Sequence, residues 1–530
     1  MKTGYLNKMI AILLVVLLAP ASSCKKNLVP IGEITTADAY KNFGNYLPIL
    51  AKLYDAFAIS GQQGGGGNPD IAGIDEGFGN YLRELFNMQE LTTDEASIIW
   101  DDHTIHNLHD MTWDATDIFI GSMFDRIYYE IGLDNDFLRN TTDAALTNNG
   151  ITGSNLVTVK QYRAEARFLR ALSYAHAVDM FGNVPFVTEN DNVGVFFPPQ
   201  QSRTFMFNYI ESELKAIDVD LGAPRFEYGH ADKAAEWTLL AKLYLNAQVY
   251  TNTQRYGDAI AYANKVIAAG YTLEPHFKNL FGADNNKSNE IIFPIESDGL
   301  HTQGYGGMTY VVHAEVGGNM NPVDFGINGG WDGFRTTKQY VALFSDPSGN
   351  TDKRAMFFTD GQILEMYDEY NFNDGYAVRK FTNVTSAGQP GSDPTGTFVD
   401  TDFPMFRLAD VYLIYAEAVL RGGTGGDINT ALTYVNMIRT RAYDGSTAGN
   451  ISSGQLTLPF ILDERGRELL FEMQRRTDLI RFGKFTDGSY LWAWKGDVLN
   501  GNGVSPNLNL LPIPSTQLTI NPTLKQNPGY

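Results

Sequence analysis

Apolar residues return every third or fourth position through most of this chain, and strict alternation is rare, so the pattern is helical. In 161–181, QYRAEARFLRALSYAHAVDMF, one face carries Phe168, Leu172, Ala175 and Val178. Arg163, Arg167 and Arg170 lie on a charged stripe. Gly182 and Pro185 predict where this helix stops. Residues 39–59 predict a first helix, with Pro48 expected to kink or divide it. Residues 203–221 predict a second amphipathic one. The segment GQQGGGGN at 61–68 reads as a flexible loop. No strand precedes it and no Lys-Ser/Thr follows, which argues against a phosphate cradle.

Two stretches share one layout. Trp237-x2-Leu240-Ala241-x2-Tyr244 is followed, after a turn, by Ala259, Ala263 and Val266. Tyr412-x2-Tyr415-Ala416-x2-Val419 is followed by Ala431, Val435 and Ile438. Small residues let two helices approach and large ones fill the gap, which is the spacing of a tetratricopeptide unit. Trp237 holds a repeat position and is expected in the core. The predicted fold is therefore mainly α, an α-solenoid scaffold of tetratricopeptide-like helix pairs. Residues 271–405 differ: Gly, Asn, Asp, Thr and aromatics dominate, predicting loops, short strands and short helices. Rigid scaffolds place recognition residues on such loops. A last helical run starts near Leu458, with Pro459 suited to its first turn. It spaces Glu464, Glu468 and Glu472 four apart. Either this acidic stripe faces the arginine stripe, or both are separate solvated faces. The end, 510–530, reads as extended and proline-punctuated.

The start of the chain has another purpose. Lys2 and Lys8 precede an apolar run at 9–18, followed by Ala19, Ala21, Ser22 and Ser23. A positive start, a short apolar middle and small residues predict a secretory signal at 1–23. Cys24 follows, the only cysteine in the chain, so it has no disulfide partner within it. Its position resembles the acylation site of a bacterial lipoprotein, although Ala21 stands where Leu or Val is usual. The alternative is a cleaved signal with an incidental cysteine. On the lipoprotein reading, 24–38 is an anchored linker and 39–530 a single domain. Its scaffold occupies about 39–270 and 406–485, its insert about 271–405 and its tail 486–530.

The net charge is −21, and more negative once Lys2 and Lys8 are removed. Such a surface repels nucleic acid and anionic membrane, so membrane contact is expected through the anchor alone. An uncharged ligand meets no such barrier.

Five segments in order carry a family resemblance. They are AEARFLRALSYAHAVDMFGNVPFVTE (164–189), LLAKLYLNAQVY (239–250), LADVYLIYAEAV (408–419), ILDERGRELLFEMQRRTDLIRFGKF (461–485) and LLPIPSTQLTINPTLKQNPGY (510–530). With the lipoprotein start, the chain resembles the SusD/RagB family of outer-membrane lipoproteins of the Bacteroidetes type. The resemblance implies four tetratricopeptide-like helix pairs carrying a loop-rich ligand-binding part. It implies capture of glycans, or less often peptides, for a SusC-like TonB-dependent transporter at the cell surface. It implies no enzyme activity and no cofactor. Acidic residues often follow the anchor cysteine in such surface proteins; here Lys25 and Lys26 do, and the first acid is Glu33.

Sugars are held by aromatic faces, with polar side chains fixing their hydroxyls. The segment 75–113 resembles the matching region of the family's starch-binding founder. Carried over, the candidates there are Trp100, Arg83, Asp75 and His103. Tyr305 in HTQGYGGMTY and Trp331 in NGGWDGF are the candidates from the insert, with Tyr310 and Phe334 as competitors. Trp113, Trp492 and Trp494 read as structural. The rival readings are a peptide-capturing member and a glycoside hydrolase. Asp94-Glu95 and Asp101-Asp102 are the adjacent acids a hydrolase would draw on, but Asp94 is expected to cap a helix turn. His103, His106 and His109 lack a zinc-ligand pattern, and Asp284-Asn285-Asn286 is too short a cluster for calcium. No metal is expected.

Overall fold

In the computed structural model the described residues are 35–530, apart from 62, 66, 68 and 195. The predicted signal, Cys24 and most of the linker lie outside them. No helix among the described residues is long and apolar enough to cross a membrane.

The helices include α1 (Tyr46–Ala58), the short α2 (Tyr81–Phe86), α3 (Ile118–Asn140), α4 (Gly153–Phe181), α5 (Arg203–Ile217), α6 (Lys233–Leu245) and α7 (Tyr256–Ile267). Further along are α8 (Gly307–Glu315), α9 (Leu408–Leu420), α10 (Ile428–Ala442), α11 (Leu458–Leu469) and α12 (Arg475–Arg481). Several begin at a side chain that accepts first-turn amides. Asp117 accepts from Phe119 and Ile120, Asp232 from Ala234 and Ala235, and Asp427 from Asn429 and Thr430. Pro459 sits in the first turn of α11 as predicted. Pro48 neither kinks nor divides α1, because that helix begins only at Tyr46 and the proline falls in its first turn.

The pairs stack as the repeats predict. α3 packs on α4 and α4 on α5; α6 packs on α7, and α9 on α10. α7 also packs on α9, which joins the two repeat units across the inserted residues. Trp237 is half-buried at the edge of this core, not inside it, and its Nε1 donates to Asp218 at 2.8 Å. The insert leaves and returns on neighbouring strands. β2 (Ile291–Ile295) pairs antiparallel with β4 (Phe403–Arg407), with Ile291 opposite Arg407 and Ile295 opposite Phe403. Two shorter strands, β1 (Ser97–Ile98) and β3 (Phe334–Arg335), tie the 75–113 region to the insert.

Neither reading of the acidic stripe survives. Arg163 pairs with Asp143, Arg167 with Glu213, and Arg170 with Glu189 and Glu213. Glu464, Glu468 and Glu472 are buried, facing cations from elsewhere in the chain. Arg354 Nη1 lies 2.9 Å from Glu464 and 3.2 Å from Glu468. Arg407 Nη1 lies 2.6 Å from Glu468, Lys380 Nζ lies 2.6 Å from Glu472, and Arg441 reaches Glu468 as well. Three of these cations, Arg354, Lys380 and Arg407, come from the insert or from β4 at its return. The network therefore clamps the insert onto α11. Burial opposes ionisation of Glu468, but Arg441, Arg407 and Arg354 outweigh it and hold the carboxyl down at about 2.

Candidate functional site

The cluster starts at the N-terminus of α2. Asn80 caps it through Oδ1, and the Asn80 amide donates to Ala58 O at 2.8 Å, fixing α2 to α1. Arg83, in the first turn, is thereby aimed at the insert. Its guanidinium lies between the faces of Phe78 (4.5 Å) and Tyr310 (4.2 Å), and 5.9 Å from the ring of Trp100. Nη1 donates to Gly77 O at 3.2 Å. Among the described residues no carboxylate pairs with it, and it is only 5% exposed. Arg83 thus stands behind Trp100 as a buried cationic support.

Trp100 and Trp331 come from positions 231 residues apart. Trp100 Nε1 donates to Trp331 O at 2.9 Å, and the two ring centroids are 6.3 Å apart at 48°. Tyr305 continues the row, 6.4 Å from Trp331 at 50°. Phe398 lies 5.5 Å beyond it. Tyr305 is 41% exposed, while Trp100, Trp331 and Phe398 are half-buried. The expected rings therefore form one tilted row whose polar N–H at Trp100 is already satisfied by protein, leaving apolar ring surface. The competitors do not join it: Tyr310 and Phe334 are fully buried, and Tyr310 Oη donates to Asn87.

Asp75 is exposed, and its Oδ1 accepts from Gly77 N at 2.9 Å. A Cβ on Gly77 would stand 3.3 Å from that oxygen, 3.5 Å from Tyr305 Cβ and 3.9 Å from Arg83 Nη1, so these three candidates meet around one residue. His103 is exposed, has a left-handed backbone (φ 51°), and meets Phe78 edge-on at 6.0 Å. It lies on the rim, joined to the row only through Phe78 and Arg83.

Sequence reasoning missed Phe398, Glu76 and His313. Glu76 is buried beneath Tyr305; desolvation pushes its carboxyl up, against hydrogen bonds from the Tyr305 backbone and Ser60. The glycine-rich composition of 271–405 hinted at a region holding Phe398 and His313; nothing hinted at Glu76. The glycine loop is part of this neighbourhood: a Cβ on Gly65 would stand 2.4 Å from Phe398 Cζ and 3.4 Å from Tyr305 Cε2. On the opposite side, a Cβ on Gly333 would stand 2.8 Å from Ala314 Cβ and 3.0 Å from Trp100 Cζ2. Gly333→Ala is expected to push Trp100 out of line. It should weaken ligand binding several-fold and cost only about 1–3 kcal/mol of stability, as overpacking does. Calorimetric titration beside thermal melts measures both.

The row is an open surface and not a deep cavity. A cavity of about 1080 Å³ opens elsewhere, between α10 and 273–278, lined by Phe277, Met356, Leu432 and Met437. It shares no residue with the ring row.

Of the adjacent acids, Asp94 and Glu95 are engaged in the core, while Asp101 is exposed and Asp102 half-buried. Asp94 does not cap a helix; it is buried in a two-pronged ion pair with Arg475 at 2.8 and 2.9 Å. Glu95 accepts from Phe471 N and is hydrogen-bonded to Glu90. Burial pushes Glu90 up to about 7, the range of a general acid, but both carboxyls are sealed in the core. The three histidines diverge. His106 meets Tyr370 at a tilt, with ring centroids 4.2 Å apart, while His109 is buried between Leu91 O and Ala493 O. Asp284 bonds to Lys287 and Ser386, and Asn285 to the backbone of Leu280 and Asp402.

Comparison with known proteins bears on the whole chain. The SusD family profile matches residues 344–530. The starch-binding protein SusD of Bacteroides thetaiotaomicron is 34% identical over 582 aligned residues, covering all of both chains. The SusD-like protein P2 of Formosa agariphila is 27% identical, over 74% of this chain and 78% of its own. A surface glycan-binding protein A from Bacteroides thetaiotaomicron, solved in complex with laminarihexaose, superposes with a TM-score of 0.69 at 20% identity. That match covers 91% of this chain and 99% of the other. A SusD superfamily structure from the same organism gives 0.70 at 19% identity, over 92% and 100%. With a full-length relative at this identity and helix pairs stacked as the repeats require, the chain belongs to the SusD family.

Proposed function

We propose that this protein captures an oligosaccharide on the row Trp100–Trp331–Tyr305 and delivers it to a SusC-like TonB-dependent transporter. The observation that carries the reading is the row itself. Three rings, tilted by about 50° from one to the next, offer apolar faces to the C–H surface of successive sugars. Asp75 and His103 stand at its edge for hydroxyls, and Arg83 stiffens Trp100 from behind. The negative net charge leaves an uncharged chain as the natural guest. The full-length relative named for starch binding favours an α-glucan, and the laminarihexaose complex shows that the same fold accepts a β-glucan. Cys24 is the acylated first residue of the mature protein, 24–38 its tether, and 39–530 one binding unit at the outside of the outer membrane. Several acyl chains, at about 0.8 kcal/mol per buried methylene, hold it there.

A soluble form beginning after Cys24 tests this reading. It is titrated with maltoheptaose, laminarihexaose, further neutral glycans and mixed peptides. Saturable binding of a glycan, without release of reducing sugar on long incubation, is the expected result. Binding of peptides alone would replace this reading with the peptide-capturing one, and reducing-sugar release would replace it with hydrolysis.

A further inference from the structure

His313 lies in the last turn of α8 and is 1% exposed. Its ring is stacked on Trp331, with centroids 4.6 Å apart and planes 26° from parallel. Its Nδ1 stands 2.6 Å from Gly329 O and its Nε2 2.8 Å from Thr397 O. Gly329 lies two residues before Trp331, and Thr397 directly precedes Phe398. One imidazole therefore touches both loops that present the outer rings of the row. It also covers one face of the Trp331 indole, so a ligand has only the opposite face.

Other bonds keep these loops folded without it. Trp331 N donates to His313 O at 2.9 Å, Asn328 N to Gly396 O at 2.9 Å, and Asn328 Nδ2 to Thr397 Oγ1 at 2.7 Å. None of these acts on the indole plane. The side chain of His313 stacks on the Trp331 indole and adds a second tie, through Gly329 O and Thr397 O, between its loop and the Phe398 loop.

We propose that His313 is a positioning residue for ligand binding: its ring buttresses Trp331 and holds the Trp331 and Phe398 loops at a fixed spacing. This rests on the reading of the ring row as a glycan site. A neutral imidazole has one N–H and one lone pair, so only one of the two carbonyls receives a hydrogen bond; the imidazolium serves both. Burial holds the ring below the ordinary histidine value, against the pull of the two carbonyls. No ionisable side chain among the described residues lies within ion-pairing distance of it. Acidification therefore favours the imidazolium, which can donate to both carbonyls. A charged imidazole stacked on an indole quenches its fluorescence, which makes the contact observable without any ligand.

The test uses the soluble form and three variants, His313→Phe, His313→Gln and Trp331→Phe. His313→Phe keeps a flat ring but makes no hydrogen bond, and should bind the glycan about tenfold more weakly, the worth of a strong hydrogen bond. His313→Gln, whose amide donates to one carbonyl but which has no ring to stack on Trp331, should recover only part of that loss. Wild-type emission should fall as the pH drops below the ordinary histidine range, a fall absent from His313→Phe and reduced in Trp331→Phe. Wild-type affinity in His313→Phe overturns the proposal and leaves the glycan site standing, and so does wild-type emission that ignores pH. If His313→Phe fails to fold, the quench and His313→Gln decide. A wild-type protein that binds no glycan overturns the reading of the row instead, and the quench still tests the contact.

Discussion

Trp331→Ala should weaken glycan binding by about thirtyfold, some 2 kcal/mol, while the helical far-ultraviolet signal and the melting temperature change little. Trp331 is the middle of the row. Its loss removes a stacking face, the neighbour of both Trp100 and Tyr305, and the partner of His313. The main-chain oxygen that accepts from Trp100 remains, so Trp100 keeps its bond. Trp100→Ala should also weaken binding, with a larger loss of stability, because it uncovers the buried Arg83 guanidinium. The double variant should show no measurable affinity. Isothermal titration with the best glycan of the panel measures all three, and unchanged affinity in Trp331→Ala would remove the row from consideration.

The second large effect is on stability. Glu468→Gln should destabilise the protein by about 3–5 kcal/mol, because Arg354, Arg407 and Arg441 would share a buried site with one charge too few. The same carboxyl makes stability depend on acid. Its value is about 2 in the folded protein against an ordinary 4.5, so the folded form binds its proton less readily than the unfolded chain. Its contribution is complete above about 4.5 and is lost progressively as the pH falls toward 2. The arginines do not titrate in this window. Melting temperatures measured from neutral to acid pH should fall steeply below 4.5 in the wild type and less steeply in Glu468→Gln. Equal slopes would show that Glu468 is not held by its arginines.

Much of the scaffold was legible because its signal is local. The 3.6-residue period of α4 and the small-large spacing of α6, α7, α9 and α10 are visible within a short window. α3 escaped the same reading although it runs for 23 residues. Its buried face includes Arg126, Glu130 and Asp134, which interrupt the apolar period that would announce a helix. Glu464, Glu468 and Glu472 misled in the opposite sense. A polar stripe normally marks solvent, and here it marks a buried ionic clamp whose cations Arg354, Lys380, Arg407 and Arg441 lie 27–114 residues away along the chain.

The site divides the same way. Trp100, Trp331 and Tyr305 are legible as candidates because aromatics in loops suit sugar binding and because a family resemblance points to them; the structure brings their rings together. Phe398, Glu76 and His313 are not legible as candidates, because nothing within a few residues of each distinguishes it from an ordinary core or loop residue.

By itself the amino-acid sequence determined the helices that repeat, the likeness to a family and the negative net charge. These depend on residues close to one another or on sums over the whole chain. Only the tertiary structure decided which charges are buried together, which rings share a row and which histidine stands behind it. Each of those depends on a contact between residues far apart in sequence, and burial, not residue type, sets what such a contact does.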